Sequence, residues 1–512
     1  MRARIDALTG RVSMYRLATI TLAIVLAQAV LFALLGVLGR DPYAILGTFG
    51  VVIVATLGAN EAAARLAKVV PHRESSVITA LIITCLVPPG LTTAGLVVAA
   101  GAGVLAALSK YLLVWRGRHL LNPAATGVWV AGLLAFPFGL AAGIWWIATP
   151  ALLPAVALGA LLLLDRTRRL DVGLIFLVLA IVIIGARLVA TGTAPLGAVT
   201  TVLQLFPVVF LAGFMLSEPL TLPPLRWQRW LAAAVTAVAF SVPFSIGPVY
   251  NSPELALIVG NLVAFAVSRR GGTTLRLVER APLSEHATEY RFEPARPLAF
   301  EAGQYLELHL PHRADIRGTR RTFSIASAPE AALPPAAGAA GTGAAGAATD
   351  AGSGPRVAIG MRTPHPGSSF KAALAQLEPG ARIAVTQVAG DFLLPRDPAV
   401  PLLMVAGGIG ITPFASQLAS LAAQGEHRDI VLVVVSSNPG EVLYRDTIEA
   451  AGARLVELAP DQLTPDALRE LVPDLATRRG YVSGAPSLVA AARTALRRAG
   501  VRRVHTDYFA GY

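Results

Sequence analysis

Residues 14 to 268 hold about ten apolar runs, roughly 14–38, 46–67, 75–88, 91–114, 123–141, 144–164, 172–190, 199–217, 228–246 and 252–268. Most approach the ~20 residues that an α-helix needs to cross a hydrocarbon core. A chain of 512 residues with 54% hydrophobic and only 14% charged residues is too apolar to be wholly soluble, and its length predicts two or three domains. Run 75–88 is short and ends in Pro88-Pro89, and Pro207 interrupts the eighth run, so both read as broken or re-entrant helices.

Basic residues fall in alternate loops. Lys68 and Arg73 follow the second run, Lys110, Arg116 and Arg118 the fourth, Arg166, Arg168 and Arg169 the sixth, Arg226 and Arg229 the eighth, and Arg269 and Arg270 the tenth. The intervening loops carry little beyond Arg40 and Arg187. The positive-inside rule then expects an even number of spans in the cell membrane, with both termini in the cytoplasm. Arg2, Arg4, Arg11 and Arg16 precede a long apolar run without a small-residue cleavage pattern, which reads as a retained anchor helix in membrane lipid. The net charge of +12 therefore reads as topology, and no aromatic-basic cluster points to nucleic acid.

Cys85 is the single cysteine, which excludes an intrachain disulfide and a four-cysteine iron-sulfur cluster. The only histidines before residue 280, His72 and His119, lie in expected loops and offer no facing pair for a membrane haem; no metal site is expected. Glu61 is an acid inside the second run, where it marks a functional or paired position, with Arg65 four residues on as its expected partner. Asn122-Pro123 reads as a helix start, cap then first residue.

From Thr273 the pattern changes to short alternating segments such as Thr274–Glu279, Thr288–Glu293 and Tyr305–Leu310, the signature of an antiparallel barrel. Residues 330–354 are nearly all Ala, Gly, Pro, Thr and Ser and read as an insertion without a core; the barrel resumes at Arg356–Arg362 and ends with Ala381–Gln387. Pro401–Ala406 is an apolar strand, Gly407–Pro413 a glycine-rich turn, and Phe414–Ala423 a helix. Strand, glycine turn and helix N-terminus form a phosphate-binding arrangement, since glycine lets the backbone approach and the helix end offers unpaired N–H groups. Strands at Ile430–Val435 and Gly480–Ser483 extend a βα reading. The expected organisation is a polytopic membrane domain over 1–270, a β-barrel domain over 271–398 and an α/β nucleotide domain over 399–512.

Within the barrel, Arg321-Thr322-Phe323-Ser324 has the makings of a flavin cradle. A guanidinium pairs a pyrophosphate through two charged hydrogen bonds, an aromatic ring covers a flavin face, and a hydroxyl reaches a ring nitrogen.

Residues 274–512 resemble the ferredoxin-NADP reductase superfamily. The resemblance implies that Tyr305, in Gly303-Gln304-Tyr305, begins a strand beside the flavin, and that Arg321 holds the FAD pyrophosphate within the cradle that includes Thr322. It puts Phe323 in place of a stacking tyrosine and gives Ser324 the contact to flavin N5. Gly367, Ser368 and Ser369 resemble the second phosphate-binding turn. Gly407, Gly408, Gly410, Thr412 and Pro413 would bind the nicotinamide nucleotide, with Thr412 at the nicotinamide. Ser483-Gly484 stands where the family has Cys-Gly, leaving Ser483 to orient the ring. The tail from Tyr508 to Tyr512 is similar to one that shields the flavin. Ser436, Ser437 and Glu441 after the second strand suit NADH, and Arg445 keeps NADPH open.

The first half resembles the membrane family of the Rnf complex D subunit and the sodium-translocating NADH:quinone oxidoreductase B subunit, on Thr79–Pro89, Ser109-Lys110-Tyr111, Leu121–Gly127 and Phe214–Thr221. That family carries FMN on a threonine. Here the matching segment is Thr191–Gly197, Ala194 has no hydroxyl to esterify, and only non-covalent FMN or quinone is expected. The chain as a whole then reads as a membrane-bound NAD(P)H-dependent flavin oxidoreductase. It would pass electrons to a quinone or an extracytoplasmic redox partner, with any ferredoxin-like carrier a separate chain. An ion or solute transporter, or a reductase merely anchored by its helices, are the alternatives.

Overall fold

In this computed structural model the described residues are 13–115, 118–268, 272–315, 318–333, 356–362, 368–438 and 440–508. The chain divides into two compact units, 1–269 and 270–512.

The first unit is helical: α1 (Met14–Leu34), α2 (Pro42–Leu66), α3 (Arg73–Leu86), α4 (Thr93–Leu112), α5 (Pro123–Ala135), α6 (Leu153–Arg166), α7 (Leu170–Ala190), α8 (Pro195–Leu205), α9 (Val208–Met215), α10 (Arg226–Ser241) and α11 (Pro253–Val267). Polar caps set several starts. Asn122 accepts from the N–H of Ala125 at 3.0 Å with Pro123 opening α5, and Ser252 accepts from Leu255 at 3.2 Å ahead of Pro253. Each expected run contains a helix, but the expected ten spans are not reproduced by length. Among the described residues, α1, α2, α4 and α7 are long and apolar enough to cross a membrane, with α8 and α9, bent by 62° at Pro207, as a fifth. The others are cut short by their own breakers: α3 stops before Pro88-Pro89 and α5 before Pro137. Glu61 also departs from expectation. Its partner is Arg73 at 2.6 Å, at the start of the next helix, rather than Arg65, and the pair is solvent-accessible.

The helices repeat their neighbour relations. In the first five, α4 packs on α5 and α2, α2 on α3, and α3 on α1; in the second five segments, α10 packs on α11 and α7, α7 on α8, and α9 on α6. The halves meet through α1 with α6 and α5 with α11.

The second unit begins with an antiparallel sheet of β1 (Thr274–Ser284), β2 (Ala287–Pro294), β3 (Tyr305–His309), β4 (Arg320–Ser324), β5 (Val357–Arg362) and β6 (Arg382–Ala389), in the order β4-β3-β6-β1-β2-β5. The expected barrel reduces to this six-stranded sheet, whose outer strands are linked by a single bridge, Ile325 to Ile359. Inward residues at alternate positions, among them Leu275, Leu277, Phe292, Leu306, Leu308 and Ile359, make its core together with Phe370 of the short helix α12 (Ser369–Ala375). Most of the expected insertion, 330–354, lies outside the described residues. Residues 330–333 are ordered by a 3-10 turn, Arg356 N–H donates to Ala331 O at 2.6 Å, and 334–355 lie outside the described residues.

A parallel sheet follows, ordered β9-β8-β7-β10-β11, from β7 (Leu402–Gly407), β8 (Ile430–Val435), β9 (Arg454–Leu458), β10 (Arg479–Gly484) and β11 (Val504–Tyr508). Helices α13 (Thr412–Gln424), α14 (Arg445–Ala450), α15 (Pro465–Leu471) and α16 (Pro486–Ala499) connect the strands. Every residue of β7 through Ala406 and of β8 is buried, the continuous apolar run of a strand covered on both faces.

Candidate flavin and nicotinamide site

The register of the antiparallel sheet assembles the cradle. On β4, Ser324 stands opposite Tyr305 and Arg321 opposite Leu308, so the tyrosine and the cradle serine share one rung. Arg321 and Phe323 alternate inward while Thr322 is exposed. Phe323 does not present a free face. Its ring is buried in the sheet core, 5.9 Å from the ring of Phe370. Tyr305 is half-buried, with its ring against Gly390.

Arg321 is only 8% exposed, and its Nη2 lies 3.3 Å from Oδ1 of Asp315. The other oxygen of Asp315 accepts from the N–H of Ser369 at 3.2 Å, while Asp315 N–H donates to Ser369 Oγ at 2.9 Å. His312 Nε2 is 3.0 Å from the same hydroxyl. Arg321 and Ser369, far apart in sequence, are thus joined through one carboxylate that the sequence reading missed. An acid in the loop after β3 gives no signal until the fold is known. Ser368 caps α12, accepting from Lys371 N–H at 3.4 Å. Gly367 and Tyr512 lie outside the described residues.

The residues expected at the nicotinamide gather at the carboxyl ends of adjacent parallel strands, the place where open α/β sheets bind ligands. Ala406 of β7 pairs with Ser483 of β10, which sets the Gly407-Gly408 turn beside Ser483-Gly484. The approach is close. A Cβ on Gly410 would lie 2.5 Å from Ser483 O and 2.6 Å from Gly484 Cα. Ser483 is fully buried, and its Oγ has no hydrogen-bond partner among the described residues. A buried hydroxyl left without a partner is costly, so a polar group of a bound ligand is its natural complement. Thr412, buried at the head of α13, donates to Ile409 O at 3.0 Å, and Pro413 follows at the first turn.

The two halves of the site adjoin. The Thr412 methyl, the Tyr444 phenol and Ile409 crowd Gly360 of β5, next to the Ile359 bridge to Ile325 and so beside Ser324. Ser416 donates to Ser327 O at 2.7 Å, fixing α13 to the same edge. Glu289, opposite Gly360 on β2, is buried and paired with Arg291 at 2.7 Å. Burial and then the Glu289 charge push the Tyr444 phenol well above its ordinary range. Neither residue was singled out from sequence, because their meeting depends on register between β2 and β5.

An antiparallel sheet carrying an arginine-serine cradle, followed by a parallel nucleotide domain with its glycine turn, defines a two-domain flavin and nicotinamide reductase. No protein-family model matches the chain. Ferredoxin–NADP reductase B of Sorangium cellulosum is 33% identical over 211 residues, 40% of this chain and 74% of that protein. The reductase component 2 of terephthalate 1,2-dioxygenase from Comamonas sp is 29% identical over 229 residues, 41% of this chain and 60% of that protein. A solved structure, the Amycolatopsis cytochrome P450 reductase, is 25% identical over 46% of this chain and 69% of that chain, with a TM-score of 0.37. The chain belongs, through its C-terminal half, to the ferredoxin–NADP reductase family of oxidoreductases. It spans about three fifths of the length of the dioxygenase reductase components it matches.

Proposed function

We propose that this chain is a membrane-bound flavin oxidoreductase that takes electrons from NAD(P)H through FAD to a quinone or an extracytoplasmic redox acceptor. The observation that carries the reading is the junction at Gly360, where the nicotinamide turn meets the strand pair that bears Ser324. FAD, when bound, accepts electrons in pairs from a nicotinamide and releases them singly. The chain's own residues do the positioning. Arg321 and the Ser369 N–H would hold the pyrophosphate, with Asp315 orienting both; Ser324 and the Tyr305 rung would take the ring edge. Ser483 would offer its hydroxyl to the nicotinamide, and Thr412 would close the pocket wall.

The membrane assignment, with the reductase unit on the cytoplasmic side, is supported by the four long apolar helices, the bent pair and the alternation of basic loops. The motif resemblance to the Rnf D and sodium-pump B membrane family supports quinone, and non-covalent FMN, as partners of the first unit. A second reading, redox-driven transport of an ion or solute, is favoured by the repeated neighbour relations, the short helix α3 and the bent pair α8–α9. Five segments per half is an odd number, so the halves would lie inverted across the bilayer, the build of many transporters.

The deciding experiment purifies the full chain in detergent, counts and identifies released and peptide-bound flavin, and then measures NADH-dependent quinone reduction in liposomes. FAD with quinone turnover supports the proposal. No flavin after attempted reconstitution sinks it, and flavin covalently fixed to the peptide containing Thr193 corrects the reading of Ala194.

A further inference from the structure

The sequence reading placed the one notable membrane acid at Glu61, yet the structure buries a different one. Glu254, the second residue of α11, is 3% exposed. Its Oε1 accepts the indole N–H of Trp145 at 2.7 Å. Among the described residues no cation is ion-paired with it. The segments around it offer little charge. Neither α5 nor α9 has a titratable side chain, α3 brings only buried Cys85 near its inner end, and α10 carries Arg226 and Arg229 at its far end. Tyr250 precedes it in the exposed turn, and the guanidinium of Arg40 sits 5.9 Å from the ring centre of the neighbouring Trp146.

The group that holds this carboxyl is itself under constraint. Trp145 has φ of 48°, a left-handed backbone that a bulky residue seldom adopts and that clusters at functional positions. The N–H groups of Ile144 and Trp145 both donate to Leu86 O, at 2.8 and 2.9 Å, closing the end of short helix α3. The Trp146 indole donates to Thr84 O at 2.7 Å. On its other side the Trp145 ring meets Phe210 edge-on at 6.1 Å, where α9 runs into a π-helical turn, Leu211–Met215. The end of a short helix, one half of a bent pair, an irregular buried segment and a helix start therefore converge on one carboxyl.

We propose that Glu254 is a proton-exchange site of the first unit, loading and releasing a proton on the side of the membrane away from the reductase, with the Trp145 indole as its positioning partner. The proposal rests on the membrane reading of this unit and on nothing in the reductase. An ionised carboxylate buried without a cation is prohibitively costly, so the group either carries a proton or must reach water to lose it. A proton suits the surroundings better than a metal cation. Hard cations need several oxygen ligands, whereas this carboxyl is already bonded by the Trp145 indole, the Ser252 hydroxyl and its own backbone N–H, and only the hydroxyl among them carries an oxygen. The loop rule sets the start of α11 at the outer face, where Tyr250 is exposed.

The test uses the full chain in detergent and an apolar carbodiimide, which takes the proton of a buried carboxylic acid, bonds its oxygen and rearranges to a stable N-acylurea. Peptide mass spectrometry should find the adduct on Glu254, falling about tenfold per pH unit once the site deprotonates. Glu254→Gln should carry no adduct there. Trp145→Phe, which keeps a ring and loses the indole N–H, should move the pH at which labelling falls, a change that a purely structural contact would not produce. Absence of the adduct across acidic and alkaline pH, or labelling independent of pH, overturns the proposal and leaves Glu254 as a helix-start contact. Labelling needs neither flavin nor nicotinamide, so its outcome is separate from that of the reductase reading.

Discussion

Gly410→Ala should cripple nicotinamide use while leaving the flavin in place. The new Cβ would meet Ser483 O at 2.5 Å, Gly484 Cα at 2.6 Å and Gly484 N at 2.8 Å, all main-chain atoms of β10 that cannot rotate aside. Ordinary contact begins at 3.4 Å, so the turn and β10 must part by about 0.9 Å (3.4 − 2.5). Overpacking of this kind costs about 1–3 kcal/mol of stability. A misplacement approaching 1 Å in a positioning element costs about a hundredfold in rate. Arg321 and Ser369 belong to the other sheet and do not feel the change, so flavin content should match the parent protein. The assay is anaerobic stopped-flow bleaching of the flavin by NADH, with flavin stoichiometry measured on the same sample. A bleaching rate within about twofold of the parent, with the protein folded, would refute the placement of the nicotinamide beside Gly410 and Ser483.

Three further outcomes are expected. Arg321→Ala should weaken FAD retention about 10- to 100-fold in dialysis against free FAD, the worth of a charged hydrogen bond, and should remove the Asp315 ion pair. Glu457→Gln should raise kcat/KM for NADPH relative to NADH, because Glu457 pairs Arg445 at 2.8 Å and accepts Gly440 N–H at 3.2 Å; the exposed pair contributes little stability, so folding should be unaffected. Asp507 is pushed up to about 6 by burial, with the Asp391 charge adding and the Tyr508 N–H opposing. A carboxyl that binds its proton more tightly when folded stabilises fully below about 4 and loses that contribution as pH rises through about 6, at most about 3 kcal/mol. Asp507→Asn should therefore raise the Tm of the reductase unit at pH 8 relative to the parent and show no such gain near pH 4.

The parts of this architecture legible in the sequence are those written in local pattern. The apolar run before Gly407 and the alternation from Thr274 announced the two sheets, and Pro207 announced the bend between α8 and α9. Phe323 shows where local reading stops. An aromatic in a cradle motif looks like a flavin cover, but its side of the strand is decided by pairing with β3 and packing on Phe370. Asp315, Glu289 and Tyr444 became visible only through long-range register. Glu254 escaped because it opens a helix after Ser252-Pro253, where an acid is unremarkable by itself; its burial comes from Trp145, over a hundred positions away.

The segment leaving the antiparallel sheet at Leu333 returns at Arg356, and the hydrogen bond from Arg356 to Ala331 fastens its two ends together. The segment's length is nearly free thermodynamically, since doubling a closed loop costs only about 0.6 kcal/mol. An affinity tag or a fluorophore spliced between Leu333 and Arg356 should therefore leave the strand pairing on either side of it unchanged.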